Sequence, residues 1–392
     1  MQEKEIGIYI HIPFCKQKCF YCDFVSFSNK EGYIEKYVET VKREIDSYDL
    51  SNYNIATIYI GGGTPSRIPS EKVQEILEEI KQKISENQTK WEDIEITIEL
   101  NPGTVDEEKI KKYKDIGINR LSIGLQSTNN ELLKEIGRIH TFEDFKNTYD
   151  LVKKVGFENI NVDLMIGLPN QTISDVKDSL NEIIKLNPIH ISVYSLIVEE
   201  NTKMEQLINN KELQLLDEEL ERQMYWYVKN TLELNGYNHY EISNFAKKGK
   251  ESKHNLNCWE QKEYIGLGLA AYSYLNGVRY GNTNNIEKYI NVQDFLNRSE
   301  LEESGIRIVD EVQSLEDKRK EYMLLGLRKI DGVSIQKFKE KFVENPIFLF
   351  REELEKLVNE KLIIIDGDFI RLTNKGLDLD NIVWEEFVKK KK

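Results

Sequence analysis

The chain has 392 residues, of which 40% are hydrophobic and 31% charged, with only seven prolines, the composition of a folded protein and not of a disordered or fibrous one. Acidic residues outnumber basic ones, 68 to 54, leaving a net charge of -14, which repels phosphate backbones and disfavours nucleic acid or anionic membrane as partners. No apolar run approaches the roughly 18 residues of a membrane span, so no stable membrane insertion is expected, and the length predicts one large domain with a smaller one.

MQEKEIGIYIHIPFC runs from Met1 straight into a strand pattern without the charged and apolar regions of a signal peptide, so a cytoplasmic location is expected. In that reducing compartment four cysteines are expected as metal ligands or spare thiols, not as disulfides. From residue 6 to about 196, β-branched and aromatic runs alternate with amphipathic stretches. Six strands are predicted, at 6–12, 55–60, 94–100, 120–124, 160–166 and 190–196, and their near-continuous apolar character suits a parallel sheet buried on both faces. Helices are predicted at 31–48, 70–85, 106–116, 142–155 and 172–186, several of them ending at Gly117, Gly156 or Pro188. Six βα units mean an α/β fold, either a doubly wound sheet or an incomplete barrel. Both hold their ligands at the carboxyl ends of the strands.

The alternation stops after residue 200. Residues 201–316 read as a linker-like mixed extension, with a charged helix at about 214–235, HYEISNFA and a glycine-rich stretch at 264–281. Residues 317–392 show three helical patterns and then KLIIIDGDFIRLT, a hairpin around Asp366-Gly367, which together predict a winged-helix-like α+β domain. The terminal run Lys389 to Lys392 reads as a frayed tail. GLGLAA (266–271) matches a dinucleotide fingerprint, but CWEQKEYI before it is a poor buried strand, so the glycines are expected to serve close backbone packing.

Cys15, Cys19 and Cys22 stand in CKQKCFYC on the loop leaving the first strand. Three neighbouring thiolates can hold a metal and leave one position open. A zinc site completed by His11 or Cys258 is the structural alternative. Position favours a functional site, because this loop lies on the ligand edge of the sheet. Strand-end motifs follow: GGGTP (61–65), IELNPG (98–103), GLQS (124–127), GRIHT (137–141) and DLMIGLP (163–169).

In this order, behind YIHIPFCKQKCFYCDF, these motifs resemble radical S-adenosylmethionine enzymes of the oxygen-independent coproporphyrinogen oxidase group. The resemblance implies a partial (β/α)6 barrel over residues 1–200. It also implies a [4Fe-4S] cluster on Cys15, Cys19 and Cys22, with S-adenosylmethionine on the fourth iron. It assigns Tyr9 and Tyr21 to the neighbourhood of cofactor and cluster, and Gly62, Gly63 and Thr64 to backbone contacts. Glu99, Gln126, Arg138 and Asp163 become polar contacts to a zwitterionic sulfonium. HNLNCW (254–259) is similar to the His-Asn-x-x-Tyr-Trp motif of the heme chaperone branch, with Cys258 in place of tyrosine. That makes His254 and Cys258 heme-ligand candidates; the alternatives are a hydrogen-bonded structural histidine and a small buried thiol. Phe24, where the oxidase has a further cysteine, and the fourteen residues before Cys15 also point to the chaperone branch. The expected function is heme binding and delivery to a respiratory protein, with decarboxylation of coproporphyrinogen III as the alternative; whether the protein is an enzyme stays open.

Overall fold

The computed structural model describes residues 4–85 and 88–388; the run Lys389 to Lys392 lies outside them. Six strands run parallel in chain order: β1 (Lys4–Ile12), β2 (Tyr53–Gly62), β3 (Glu95–Leu100), β4 (Arg120–Gln126), β5 (Ile160–Ile166) and β6 (His190–Ser195). The connecting helices are α1 (Ile34–Asp46), α2 (Ser70–Gln82), α3 (Glu107–Asp115), the short α4 (Asn130–Glu135), α5 (Phe142–Val155) and α6 (Ile173–Leu186). Their ends follow local chemistry. Thr141 with Asp144 and Thr172 with Asp175 form capping boxes, while Gly156 and Asn187 close α5 and α6 in the left-handed region.

Strand periodicity sorts the side chains onto two faces. Ile58, Ile60, Ile96, Ile98, Leu121 and Ile123 belong to one large core cluster together with Tyr37, Val38, Val41 and Ile45 of α1. The alternate positions meet one another on the concave side: Tyr59 bonds Glu99, Ser122 bonds Asp163, and Asn161 bonds Ser122. This is an open α/β barrel of six βα units whose interior is polar.

The 201–316 stretch, expected as a linker-like extension, is woven into both edges of the same sheet. β7 (Asn238–Glu241) and β8 (Asn244–Ala246) extend it beyond β6; β9 (Glu263–Leu267), β10 (Tyr272–Leu275), β11 (Val278–Asn282) and β12 (Arg307–Val312) extend it beyond β1. The segment CWEQKEYI, a poor strand by local preference, supplies most of β9, which pairs in parallel with β1. Pairing to a buried neighbour overrides propensity here. The glycines that follow do serve close packing: a Cβ on Gly266 would lie 2.0 Å from the Tyr272 carbonyl oxygen.

The C-terminal unit has its own core of Tyr322, Met323, Phe338, Phe350, Leu357 and Ile370, among others. Three of its helices, Leu315–Gly326, Ile335–Phe342 and Arg351–Asn359, pack with a small antiparallel sheet of β13 (Val333–Ser334), β14 (Ile363–Asp366) and β15 (Phe369–Leu372). Arg328 joins it to the barrel, its guanidinium 4.4 Å from the Trp259 ring and 5.2 Å from that of Trp384. No helix among the described residues is long and apolar enough to cross a membrane.

Candidate functional site

The chain leaves β1 through Pro13, Phe14 and Cys15 and folds back on itself. The Cys15 amide donates to the Phe27 carbonyl at 2.9 Å, and the Phe27 amide donates to the Pro13 carbonyl at 2.8 Å. Farther along, the Phe20 amide donates to the Ile136 carbonyl at 3.0 Å and the Gln17 side chain to the Gly137 carbonyl at 3.1 Å. The loop after β2 lies directly against this one. Gly63 and Thr64 amides donate to the Ile12 and Phe14 carbonyls, each at 2.9 Å, and the Thr64 hydroxyl reaches Cys15 Sγ at 3.5 Å. A Cβ on Gly63 would stand 2.8 Å from the Ile12 carbonyl oxygen and 3.0 Å from Cys15 Sγ, while Gly62 adopts φ +107°. Only glycine permits that approach.

A cavity of about 460 Å³ opens between these loops at the carboxyl ends of the strands. Cys15, Cys19 and Cys22 line one wall with Tyr21. Gly62, Gly63, Thr64, Glu99, Gln126, Arg138 and Asp163 line the remainder. Eleven of the fourteen residues singled out in the sequence therefore face one space.

Opposite charges share it. Arg138 donates to the Tyr21 hydroxyl at 2.7 Å and to Asn101 Oδ1 at 2.9 Å. Glu99 accepts from the Tyr59 hydroxyl at 2.8 Å and the Gly62 amide at 3.2 Å. Burial, reinforced by the Asp163 charge against these hydrogen bonds, pushes the Glu99 carboxyl up to about 7. Asp163 accepts from Asn161 at 2.7 Å and Ser122 at 3.1 Å, and burial raises its carboxyl too. Burial also raises the Cys15 thiol and, with Cys19 beside it, takes Cys22 to about 11.

The three thiols are free, and no three His, Cys, Asp or Glu side chains among the described residues are grouped to hold one metal ion. A cubane cluster distributes its thiolates over different irons, ordinarily four of them, so three leave one iron open. The donor set fits that arrangement, on a cavity whose two carboxylates and guanidinium match a zwitterionic cation.

Three of the residues singled out lie elsewhere. Tyr9 does not line the cavity: its hydroxyl bonds His11 Nδ1 at 2.9 Å and its ring stacks on Tyr59. His254 opens the helix Lys253–Trp259 at the amino ends of the strands, the barrel floor. It is buried, bonds the Thr57 hydroxyl through Nδ1 at 2.8 Å, stacks on Tyr59 at 5.1 Å, and is held down to about 4 by burial and by Arg120. Cys258 follows one turn later, half-buried, its thiol raised by burial to about 11. The sequence also left Tyr59, Asn101, Ser122 and Asn161 without roles. Asn101 stood inside a quoted motif; it accepts from Arg138 and donates to Thr64 at 2.9 Å.

Residues 9–183 match the Radical SAM superfamily, and residues 313–379 match the HemN C-terminal domain. Fold and thiol-lined cavity thus define a radical S-adenosylmethionine protein. The chain is 39% identical to the heme chaperone HemW of Lactococcus lactis subsp. lactis, across 99% of this chain and 98% of that one. It is 36% identical to the heme chaperone HemW of Bacillus subtilis, across 97% and 98%. The structure of coproporphyrinogen III oxidase (HemN) from Escherichia coli, a radical SAM enzyme, superposes with a TM-score of 0.82 over 98% of this chain and 90% of that one, at 20% identity. The chain belongs to the heme chaperone HemW family.

Proposed function

We propose that this protein is a heme chaperone of the cytoplasm that carries a [4Fe-4S] cluster on Cys15, Cys19 and Cys22 and binds S-adenosylmethionine in the adjoining cavity. The observation that carries this reading is the convergence of three free thiols, Glu99, Asp163 and Arg138 on one space. The cluster, when bound, supplies an electron to the sulfonium of S-adenosylmethionine. The chain's own groups do the rest. Gly63 and Thr64 hold the cysteine loop in place, and Arg138, anchored on Tyr21 and Asn101, would hold the cofactor's carboxylate. Glu99 and Asp163 would receive its cationic and hydroxyl-bearing parts, and Gln126 would add an amide.

For heme, the candidates remain His254 and Cys258. The His254 ring is already engaged by Thr57 and Tyr59, so Cys258, half-buried one turn along the same helix, is the freer ligand, and ferric iron favours its thiolate. The heme is then passed to a heme-accepting respiratory protein. Anaerobic reconstitution followed by heme titration, and in parallel a coproporphyrinogen assay with cofactor and reductant, tests the reading. Saturable heme binding with no decarboxylation is expected; steady formation of protoporphyrinogen would replace the chaperone with the oxidase. A heme spectrum that shifts in Cys258→Ser but not in His254→Ala supports the thiolate.

A further inference from the structure

A second cavity, of about 280 Å³, lies at the extended edge of the sheet, between the segment that follows α1 and strands β9 to β12. Tyr48, Tyr53 and Tyr280 form part of its wall, and Arg298 and Arg307 line it. Arg307 is only 5% exposed, yet neither arginine makes an ion pair with a described residue. Arg307 Nε has no hydrogen-bond partner, and its Nη2 makes one long contact, 3.4 Å to the Tyr48 hydroxyl. Both guanidinium groups rest over the Tyr280 ring, Arg307 at 4.8 Å and Arg298 at 6.0 Å.

A buried guanidinium is ordinarily held by an anion. Glu44, the buried acid nearby, feels the Arg307 charge but makes no direct pair with it, its oxygens being committed to Tyr289, Asn282 and the Gly268 amide. Of the two acids lining the cavity, Asp49 is turned to the Ser51 amide at 3.0 Å, and Glu302 leaves Arg298 unpaired although it stands one turn away on the same helix. The Tyr48 and Tyr280 hydroxyls, hydrogen-bonded to each other at 3.3 Å, leave one further donor between them. Two forks and one phenol donor offer more than the two oxygens of a carboxylate use, and they suit a tetrahedral oxyanion.

We propose that this cavity is a phosphate site, for the free ion or the monoester end of a small metabolite. It is independent of the cluster, the cofactor and heme. Calorimetric titration of the full chain with inorganic phosphate at fixed ionic strength tests it, with glycerol phosphate and acetate as further probes. Saturable phosphate binding is expected, weakened about tenfold by Arg298→Ala, whose exposed side chain is not needed for folding, and again by Arg307→Lys, which keeps charge but loses the fork. Tighter binding of glycerol phosphate identifies a monoester ligand; equal or weaker binding identifies the free ion. Absence of saturable phosphate binding by the folded wild type, unchanged affinity in both variants, or acetate binding as tightly as phosphate would overturn the proposal.

Discussion

The two ends of the barrel are built from the same six strands and are both polar, yet they differ in how their polar groups are used. At the floor, the histidines and Glu95 are taken up by neighbouring side chains and amides in closed space, where the buried Arg120 leaves its Nε without a hydrogen-bond partner. His190 bonds Asn161 Oδ1 at 2.6 Å and the Tyr240 hydroxyl at 2.8 Å, His254 bonds Thr57, and Glu95 accepts the first amides of the helix Lys253–Trp259. At the mouth, thiols, carboxylates and a guanidinium face open space, under a rim that leaves Phe24, Tyr194 and Ile197 exposed by 57%, 41% and 68%. Polarity alone does not mark a site in this fold. Polarity left with room for something else does.

The sharpest way to break this contrast is to exchange a mouth thiol for a floor thiol. Cys19→Ala is expected to lose essentially all cluster iron and sulfide on anaerobic reconstitution, while Cys258→Ala keeps about four of each per chain. The opposite pattern would show that the mouth thiols are not the ligands.

Stability should separate the two ends next. Asn161→Ala strands His190 and removes a donor from Asp163, and a loss of about 3 kcal/mol in urea unfolding is expected. Glu99→Gln should act in the other direction. The folded state holds the Glu99 proton up to about 7, whereas the unfolded chain releases it near 4.5. Wild-type stability therefore falls as pH rises through that window, and the cost is complete above it. Relative to wild type, Glu99→Gln is expected to gain about 2 kcal/mol at pH 8, the water of the cavity trimming the full shift, and nothing at pH 4. Equal effects at both pH values would remove the buried-charge explanation.

The same proton sets a smaller effect on binding. Affinity for S-adenosylmethionine should weaken as pH falls below about 7, because neutral Glu99 no longer faces the cation, by up to about tenfold per unit. Equilibrium titration across pH 6 to 8 should show that slope in the wild type and a flat line in Glu99→Gln. At the small end of the scale, Lys134→Ala breaks an exposed pair with Glu131 and should change stability by less than about 0.5 kcal/mol in the same urea experiment.

Most of this fold was legible in the chain because its signals are local. The six parallel strands are continuous apolar runs, and the helices between them carry three- and four-residue spacing with Thr141 and Thr172 at their starts. The edge strands were not, since β8 has three residues and β9 carries Glu263 and Tyr264; distant partners make them strands. The cavity was legible where its residues sit in strand-end motifs. Tyr59 and Asn161 stand mid-strand, where a polar side chain reads only as an alternation, and their partners lie one strand over. HNLNCW illustrates the converse: the motif was plain, but the ring of His254 goes to the floor and is not part of the cysteine cavity.

The pairing of β9 with β1 has a consequence for synthesis. β1 gains β2 as a neighbour soon after it leaves the ribosome, but its other edge has no partner until residues 263–267 have been translated. Through that interval the nascent chain presents an open edge of apolar parallel strand, the kind that captures other chains. The cysteines sit on the loop leaving that same strand. Fragments ending before residue 263 should therefore aggregate even though all their βα units are present, and loading of iron and sulfide into a soluble product should await the second half of the chain.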